Sequence, residues 1–347
     1  MATRALTFMA ALAVLGACGC GKETAVQPPS RPARAPDAAT APAASARYDL
    51  KELDALTRAS REYRLVLVVK TRNNPFFDPM IKAAEREAAT LGVRLEVQAP
   101  PQEIDKEQQF SIVQNVAATG VDAILIAPAD SKGIVPALKQ AADQGILVVN
   151  LDNRVDGPTA AAAGLKLGGY VGADNEEGGA LAGKAMVEAL SGTARRGRPQ
   201  VAVLEGIRGT DNAEARKRGF IKAVQDRLDV RVTDTAEWDT QKAYAKFQSM
   251  LAANPGLAGL FCANDKMALG AMKAIKEAGK TGAVRVIGYD NIPDVRAALR
   301  SGEVTATVEQ HPDLMGRYGV RLAVGLLDGK MQRGGELLVP LELVKGK

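Results

Sequence analysis

The stretch RLVLVVKTRNNPFFDPMIKAAEREAATLGVRLEV, residues 64–97, contains the pattern that decides the fold. Its first six residues form an almost continuous apolar run, which indicates a strand buried on both faces. The amphipathic segment from Met80 ends at Gly92, the residue type that commonly terminates a helix in the left-handed conformation. A second strand pattern begins immediately afterwards, at Val93. A strand, a helix and another strand in this order are typical of the βαβ unit of a parallel sheet.

The same alternation continues through the rest of the chain. Eleven strands are predicted: RLVLVV from 64, VRLEV from 93, DAILIA from 122, ILVVN from 146, YVGA from 170, QVAVLE from 200, VRVT from 230, LAGLFCA from 257, VRVIGY from 284, VTATVE from 304 and LLVPLEL from 337. Eleven strands are too many for one small sheet, and the long connection at 152–169 interrupts the rhythm midway. We therefore predict an α/β protein with two doubly wound, Rossmann-like parallel-sheet domains.

The composition limits the possible partners and chemistries. The 347 residues include 45 Lys or Arg against 40 Asp or Glu, and 46% are hydrophobic. These values exclude a disordered chain and a strongly basic nucleic-acid-binding protein. The single histidine, His311, has no neighbouring His or Cys in the sequence, so a zinc site or a catalytic triad is not indicated. We expect no enzymatic activity, no cofactor, no metal and no nucleic-acid partner.

The N-terminal 60 residues differ from the rest. Residues 1–17 combine one positive charge with an apolar run of signal-peptide length, and LGAC at 15–18 resembles the lipobox of bacterial lipoproteins, which places the lipid on Cys18. The alternative is an ordinary signal peptide with incidental cysteines, and Cys20 fits a lipobox less well. Residues 18–60 are predicted to be a lipidated N terminus and a Pro/Ala-rich tether, although 48–60 are compatible with a short helix. The folded body is expected to begin near Arg61.

Polar and aromatic residues follow many of the predicted strands. In sheets of this kind, ligands bind beyond the carboxyl ends of the strands. The residues at these positions are Lys70, Asn74, Phe76, Phe77, Asp152, Asn153, Asp174, Glu205, Asn264, Asp265, Tyr289, Asp290 and Gln310. Carboxylates, amides and cationic donors can bind adjacent hydroxyl groups, while aromatic faces pack against the C–H faces of a sugar ring. The set therefore predicts a site for a neutral polyhydroxy ligand.

Several candidate residues also have a purely structural interpretation. Helix N-capping is the alternative for Asp174, Asp211, Asn264 and, with Pro75 at the first helical position, Asn74. Core packing is the alternative for Phe76, Phe77 and Trp238, and a solvated loop position is the alternative for Glu205. Cys262 lies in an apolar strand and is predicted to be buried packing.

Nine segments together resemble the periplasmic sugar-binding proteins of the ribose and allose type. They are VVKTRNNPFF at 68, APADS at 127, VVNLDN at 148, GADNEEGG at 172, EARKRGF at 214, AEWD at 236, CANDKMALG at 262, GYDNIPD at 288 and TATVEQHPD at 305. The resemblance implies the type I periplasmic-binding-protein fold, whose domains are joined by a three-stranded hinge. The implied crossings lie near Ala173, Gln310 and Glu336. They define one lobe of 61–173 with 311–335 and another of 174–310 with 336–347.

The resemblance also implies roles for individual residues. From the first lobe, Asn74, Phe76 and Phe77 would contact and stack on the sugar, and Asp152 would hold a pair of hydroxyls. From the second lobe, the contacting residues would be Arg216, Trp238 as the opposite stacking aromatic, Asn264 and Asp290, with Gln310 beside the hinge. Lys70, Ala127 and Trp238 resemble the allose-binding type and favour a pyranose. Asn153 is also predicted to bind, although it and Tyr289 depart from the expected residues.

The implied function is that of the substrate-binding component of a sugar ABC importer. A monomer would capture a monosaccharide, an aldohexose such as D-allose or else ribose, by hinge closure and deliver it to the permease subunits. It would act in the periplasm or at the cell surface, attached to the membrane by its lipid only. A sugar sensor that presents its ligand to a chemoreceptor or histidine kinase is the alternative. A sugar-responsive repressor core would need a DNA-binding motif where the signal and the tether lie.

Overall fold

The computed structural model describes residues 46–192 and 197–346. The signal peptide, Cys18, Cys20 and the tether up to residue 45 lie outside the described residues. In chain order the strands are β1 (Arg64–Val68), β2 (Arg94–Gln98), β3 (Ala123–Ile126), β4 (Leu147–Leu151), β5 (Gly169–Gly172), β6 (Gln200–Glu205), β7 (Asp229–Thr235), β8 (Leu257–Cys262), β9 (Arg285–Tyr289), β10 (Ala306–Glu309), β11 (Gly335–Leu338) and β12 (Glu342–Lys345).

The helices alternate with most of these strands. They are α1 (Leu50–Asp54), α2 (Phe77–Leu91), α3 (Lys106–Ala117), α4 (Val135–Asp143), α5 (Gly157–Ala162), α6 (Asn175–Ala189), α7 (Asp211–Val224), α8 (Thr240–Ala253), α9 (Asp265–Glu277), α10 (Pro293–Ser301) and α11 (Pro312–Leu327). As predicted, α2 ends at Gly92, which has a φ of 72° and caps the helix in the left-handed conformation. None of the described helices is both long enough and apolar enough to span a bilayer.

The described strands form two sheets of six. Their orders are β2-β1-β3-β4-β5-β11 and β7-β6-β8-β9-β10-β12. All neighbouring strands are parallel except β10 and β12. The first five strands of each sheet therefore repeat one doubly wound order, which confirms the predicted fold class. In the first sheet the strand order reverses between β1 and β3, and in the second between β6 and β8. In such sheets, ligands usually bind in the crevice at the carboxyl ends of the strands, where the order reverses.

Strand β1 shows how the sheet of the first lobe is covered on both faces. Leu65 and Leu67 belong to the same apolar cluster as the inward residues of α2 and α11. Val66 and Val68 belong to a second cluster with residues of α3 and α4. Because successive side chains of a strand point to opposite faces, a continuous apolar run buries both sides of the sheet.

The last predicted strand, LLVPLEL at 337–343, is two strands in different sheets. Leu337 pairs with Val171 in the first sheet, whereas Leu343 pairs with Val308 in the second. Pro340 lies between them and has no N–H to donate to a ladder. The chain therefore passes between the sheets at 339–341, a few residues beyond the predicted third crossing near Glu336.

The folded body begins earlier than the predicted position near Arg61. The hydroxyl of Tyr48 lies 2.9 Å from the carbonyl oxygens of both Gly168 and Gln332. Leu53 of α1 is fully buried, and its carbonyl accepts a hydrogen bond from Arg321 Nη1 at 2.7 Å. Residues from about Arg47 onward thus pack on the first lobe and do not belong to the tether. The short helix anticipated at 48–60 is α1.

Asp328 fastens the segment before β1 to the end of α11. Its carboxylate accepts hydrogen bonds from Ser60 Oγ at 2.6 Å and from the Tyr63 hydroxyl at 2.8 Å, and Lys330 Nζ lies 3.0 Å away. Burial opposes ionisation, but the hydrogen bonds from Ser60, Lys330 and Tyr63 outweigh it and lower the pKa of Asp328 to about 2.

We expect Asp328→Asn to lower the free energy of unfolding at pH 7 by roughly 2 kcal/mol. The folded-state pKa lies below the unfolded one, so the stabilisation is complete above about pH 4 and is lost as the pH falls towards 2. Urea denaturation at a series of pH values measures it. The exposed Asp226, substituted as Asp226→Asn, is the control. A difference between wild type and Asp328→Asn that does not change with pH would contradict this role.

Candidate ligand-binding site

Twelve side chains from both lobes line one narrow cavity of about 20 Å³, here called the inner cavity. The first lobe contributes Lys70, Asn74, Phe76, Phe77, Glu103 and Asp152. The rest are Asn212, Arg216, Trp238, Asn264, Asp290 and Gln310. Ten of the eleven predicted ligand-binding residues are thus brought together, and Asn153 is not. Sequence reasoning missed Glu103 and Asn212.

Lys70 and Asp152 form an ion pair inside the first lobe. Lys70 Nζ lies 2.9 Å from Asp152 Oδ2, and both side chains are almost completely buried. This oxygen nevertheless has no properly aligned hydrogen bond within the described residues. Asp152 has a φ of 57°, a conformation that is uncommon for a residue with a side chain. Backbone strain of this kind is concentrated at functional sites.

Asn74 is not the N-cap of α2, but it orders the turn before that helix and lines the inner cavity. Its Oδ1 accepts a hydrogen bond from the backbone N–H of Phe76 at 3.1 Å, which fixes the turn before α2. Its Nδ2 donates to Glu103 Oε1 at 2.8 Å. The helix starts later than predicted, with Phe76 at the N-cap. Burial raises the pKa of Glu103, while Lys70, Lys266 and the Asn74 hydrogen bond oppose the shift.

Phe76 and Phe77 are both core residues and cavity residues. Their exposed fractions are 5% and 1%, and both line the inner cavity. The two rings meet edge to face with centroids 5.0 Å apart. Adjacent aromatic residues at a helix entry can therefore serve the core and the site at once, because both belong to the core cluster and line the inner cavity.

Arg216 of α7 holds the second-lobe part of the site together. Its Nε donates to Asn175 Oδ1 and its Nη1 to the carbonyl oxygen of Ala263, both at 2.8 Å. Its Nη2 donates to Gln310 Oε1 at 3.2 Å. The guanidinium also lies 3.8 Å from the ring centroid of Tyr289. With so many partners, the side chain has one defined position in the cavity wall.

Asp290 completes this network on the loop after β9. Gln310 Nε2 donates to its Oδ1 at 2.7 Å, and Arg216 Nη1 lies 3.5 Å from the same oxygen. Burial raises the pKa of Asp290, against the opposing effect of Arg216. Asp290 has a φ of 110°, so its loop must be held in place by its neighbours.

The carboxylate that holds this loop is Asp265. It accepts hydrogen bonds from the backbone N–H groups of Tyr289 and Ile292 at 3.0 and 3.1 Å, and from Thr307 Oγ1 at 2.8 Å. Burial raises the pKa of Asp265 to about 7 although these hydrogen bonds oppose the shift. Asp265 therefore lies behind the site and positions the segment that carries Asp290.

Trp238 is buried, with 3% of its surface exposed, and still reaches the ligand space. It lines the inner cavity and a larger outer chamber of about 370 Å³ that is open to solvent. Its backbone has a φ of 64° and that of Glu237 a φ of 53°. Gly206 makes room for the indole, because a methyl group there would overlap Trp238 Cζ2. Trp238 is therefore, like Phe76 and Phe77, a core residue that also lines the inner cavity.

The remaining candidates divide between caps and supports. Asp174 caps α6 by accepting from the N–H groups of Glu176 and Glu177. Asn264 caps α9 by accepting from Met267 N at 2.9 Å, and it also lines the inner cavity. The capping interpretation is wrong for Asp211, because it is the first residue of α7 and Thr210 occupies the cap position.

Two further interpretations are settled by burial. Glu205 is not a solvated loop carboxylate: only 3% of it is exposed, and it accepts from Arg208 and Lys217. Cys262 is fully buried, as predicted, and burial raises the pKa of its thiol.

Asn153, a predicted ligand contact, is fully buried outside the inner cavity. Its Nδ2 donates to the carbonyl oxygen of Pro128 at 2.9 Å, and its Oδ1 accepts from the backbone N–H of Asn212 at 3.1 Å. Asp152 and Asn153 point in different directions because the chain turns at Asp152, whose φ is positive.

Two buried acceptors in the inner cavity define what it can bind. Asp152 Oδ2 has the ion-pair contact with Lys70 Nζ at 2.9 Å, and Asn212 Oδ1 has no hydrogen-bond partner in the described part of the chain. Buried polar atoms without partners are rare and costly. Hydroxyl groups can donate to both, and the neighbouring Lys70 can donate to a hydroxyl oxygen. Together with three aromatic side chains, these groups form the site of a two-lobed binding protein for a neutral polyhydroxy ligand.

Comparisons with known proteins agree with this class. A family model described as a periplasmic binding protein domain matches residues 65–331. The D-ribose/D-allose-binding protein of Pseudomonas aeruginosa is 36% identical over 81% of this chain and 88% of its own length. The D-allose-binding periplasmic protein of Escherichia coli is 36% identical over 77% and 84%. A solved ABC transporter solute-binding protein of Actinobacillus succinogenes with bound D-allose has a TM-score of 0.75 and 35% identity, over 82% of this chain and 98% of that one.

The chain belongs to the periplasmic sugar-binding proteins of the ribose and allose type, the solute-binding components of ABC sugar importers. Proteins of this family are carriers and not enzymes, and they are periplasmic. The resemblance in the sequence is thereby confirmed.

Trp238 is the only tryptophan, so its fluorescence reports on the cavity wall. We expect Gly206→Ala to displace the indole, to shift its emission spectrum and to weaken ligand binding about tenfold, because a new methyl group takes its space. Gly157→Ala is the control, since a methyl group there meets no atom within 4 Å. An unchanged emission spectrum in Gly206→Ala would contradict this expectation, because it would show that the backbone at residue 206 moves and the indole of Trp238 does not.

Proposed function

We propose that this protein captures an aldohexose in its pyranose form, a sugar of the D-allose kind, in the inner cavity and presents it to an ABC permease. The observation that carries the proposal is the pair of buried acceptors, Asp152 Oδ2 and Asn212 Oδ1, beside Phe76, Phe77 and Trp238. Sugar hydroxyls can donate to both oxygens, and the aromatic faces pack on the C–H faces of the ring.

The charges of the inner cavity support a neutral ligand. Lys70 is paired with Asp152, and Arg216 with Asp290. Glu103 has a raised pKa and is hydrogen-bonded to Asn74. A charged ligand would leave one of these buried groups uncompensated, which is costly in a desolvated site. A sugar without an ionised group disturbs neither pair.

Two features favour a hexose over a pentose. Lys70 adds a long donor to the first-lobe wall of the inner cavity. Trp238 adds the largest aromatic face to the second-lobe wall. Two relatives described above carry D-allose in their names, and the solved structure contains D-allose. The first of these names also includes D-ribose, so a pentose is the natural competitor in any binding assay.

Closure of two lobes around the sugar is the mechanism that the fold supports. We propose the lobes to be 46–173 with 311–338 and 174–310 with 339–346, connected by the three passages of the chain. A sugar that contacts Asp152 of one lobe and Arg216 of the other has a higher affinity for the closed form of the protein than for the open form. It therefore shifts the population towards the closed form, which is the shape that a permease can recognise.

Membrane attachment is proposed through Cys18. The apolar run at 1–17 and LGAC at 15–18 are the features that support it, together with the Pro/Ala-rich segment that follows. A lipid on this cysteine would hold the sugar-binding lobes near the permease by a tether. Metabolic labelling with a radioactive fatty acid is expected to mark the wild type and not Cys18→Ala. Label that survives in Cys18→Ala would contradict the assignment.

Isothermal titration calorimetry against a panel of hexoses, pentoses and inositols tests the sugar proposal. We expect D-allose or a related aldohexose to bind with micromolar or better affinity. Trp238→Ala should weaken this binding by about 1 to 3 kcal/mol through loss of the stacking face, and Trp238→Phe should lose less.

The matched control for this experiment is Asp49→Ala, which removes the cap of α1 outside the inner cavity. It should affect stability and leave sugar affinity unchanged. If no free sugar in the panel binds the wild type, the proposed function is wrong. If Trp238→Ala binds as tightly as the wild type, the indole belongs to the core alone.

A further inference from the structure

The N terminus of α7 receives no hydrogen bond from its own N-cap side chain. The cap residue Thr210 makes no such bond, and its hydroxyl donates instead to the carbonyl oxygen of Ile207 at 2.7 Å. The helices α6, α8 and α9 of the same lobe are capped by Asp174, Asp239 and Asn264. The first N–H groups of a helix have no partner within the helix, so those of α7 need acceptors from elsewhere.

The acceptors come from the other lobe. Ser131 Oγ accepts from the backbone N–H of Asp211 at 3.0 Å, and Asn153 Oδ1 accepts from that of Asn212 at 3.1 Å. Ser131, Asn153 and Asn212 are all buried. We propose that Ser131 and Asn153 form an interlobe cap, which stabilises the closed arrangement and sets sugar affinity without touching the sugar.

The first lobe holds both acceptors ready. Asn153 Nδ2 donates to the carbonyl oxygen of Pro128 at 2.9 Å and to Ser131 Oγ at 3.2 Å, which turns Oδ1 towards α7. Asn150 Nδ2 fixes the backbone by donating to the carbonyl oxygen of Asn153 at 2.8 Å. The acceptors are therefore oriented by contacts within their own lobe, and little ordering is needed when the lobes meet.

The interlobe cap changes the closing equilibrium by the same amount for every ligand. Opening the lobes breaks both hydrogen bonds, whatever sugar is present. Since ligand binds the closed form, a lower closed population raises the apparent Kd by the same factor for all sugars. A residue that touches the sugar would instead change the ratio of affinities between sugars.

Asp211→Pro and Asp211→Ala form a matched pair that tests the interlobe cap. Both remove the carboxylate, but only proline also removes the N–H that donates to Ser131. Proline is well tolerated at the first helical position, and Thr210 has the extended conformation, with ψ at 140°, that a residue before proline adopts. Compared with Asp211→Ala, we expect Asp211→Pro to raise the Kd of every bound sugar by about three- to tenfold.

A measurement without sugar separates this proposal from the proposed function. Small-angle X-ray scattering of the unliganded proteins should show a more open average shape for Asp211→Pro than for Asp211→Ala. Equal scattering and equal affinities of the two variants would overturn the interlobe cap, and so would an effect that differs between sugars. Failure of the wild type to bind any sugar would refute the proposed function and leave the scattering comparison intact.

Ser131→Ala provides a second route if the proline variant does not fold. It removes the acceptor instead of the donor and should give the same opening. When Ser131→Ala is combined with Asp211→Pro, the two effects should be less than additive, because both changes remove the same hydrogen bond. Asn254→Ala is the control, since among the described residues Asn254 Nδ2 donates to the carbonyl oxygen of Met250 alone, within its own lobe. It should leave affinity and scattering unchanged.

Discussion

A buried guanidinium must find acceptors for its N–H groups, and Arg216 finds them on four separate segments. They are the start of α6 at Asn175, the end of β8 at Ala263, the loop after β9 at Asp290 and the passage between the lobes at Gln310. A charge without these partners would be costly to bury, so the four segments must arrive together. The second-lobe wall and one of the connections between the lobes therefore depend on one side chain.

Because the inner cavity is buried, most of the side chains that line it also have a structural role. Phe76, Phe77 and Trp238 are core residues with one face in the inner cavity, and Asn74 and Asn264 order helix starts while lining it. A site built this way is rigid, because each side chain is fixed by a structural contact. Rigid walls suit a carrier that must recognise the pattern of hydroxyls on a sugar and release it unchanged.

The sequence predicted most of the fold because apolar strand patterns and helix ends are local signals. Most of the inner cavity followed from one rule, that residues just after parallel strands meet at one edge. Glu103 was missed because it lies five residues beyond β2, and Asn212 because it follows a loop that returns to the other lobe. Asn153 was misplaced because a positive φ at Asp152 turns the chain between neighbours. The break at Pro340 was overlooked since both of its flanks are apolar.

In the proposed complex, a monosaccharide lies between the lobes with its hydroxyls on Asp152 and Asn212. A crystal structure of the protein grown with D-allose tests this most directly. We expect one pyranose ring in the inner cavity, packed against Phe76 and Trp238, with hydroxyl oxygens within hydrogen-bond distance of Asp152 Oδ2 and Asn212 Oδ1. A sugar bound only in the outer chamber, or one in the inner cavity whose hydroxyls reach neither of these two oxygens, would contradict this placement.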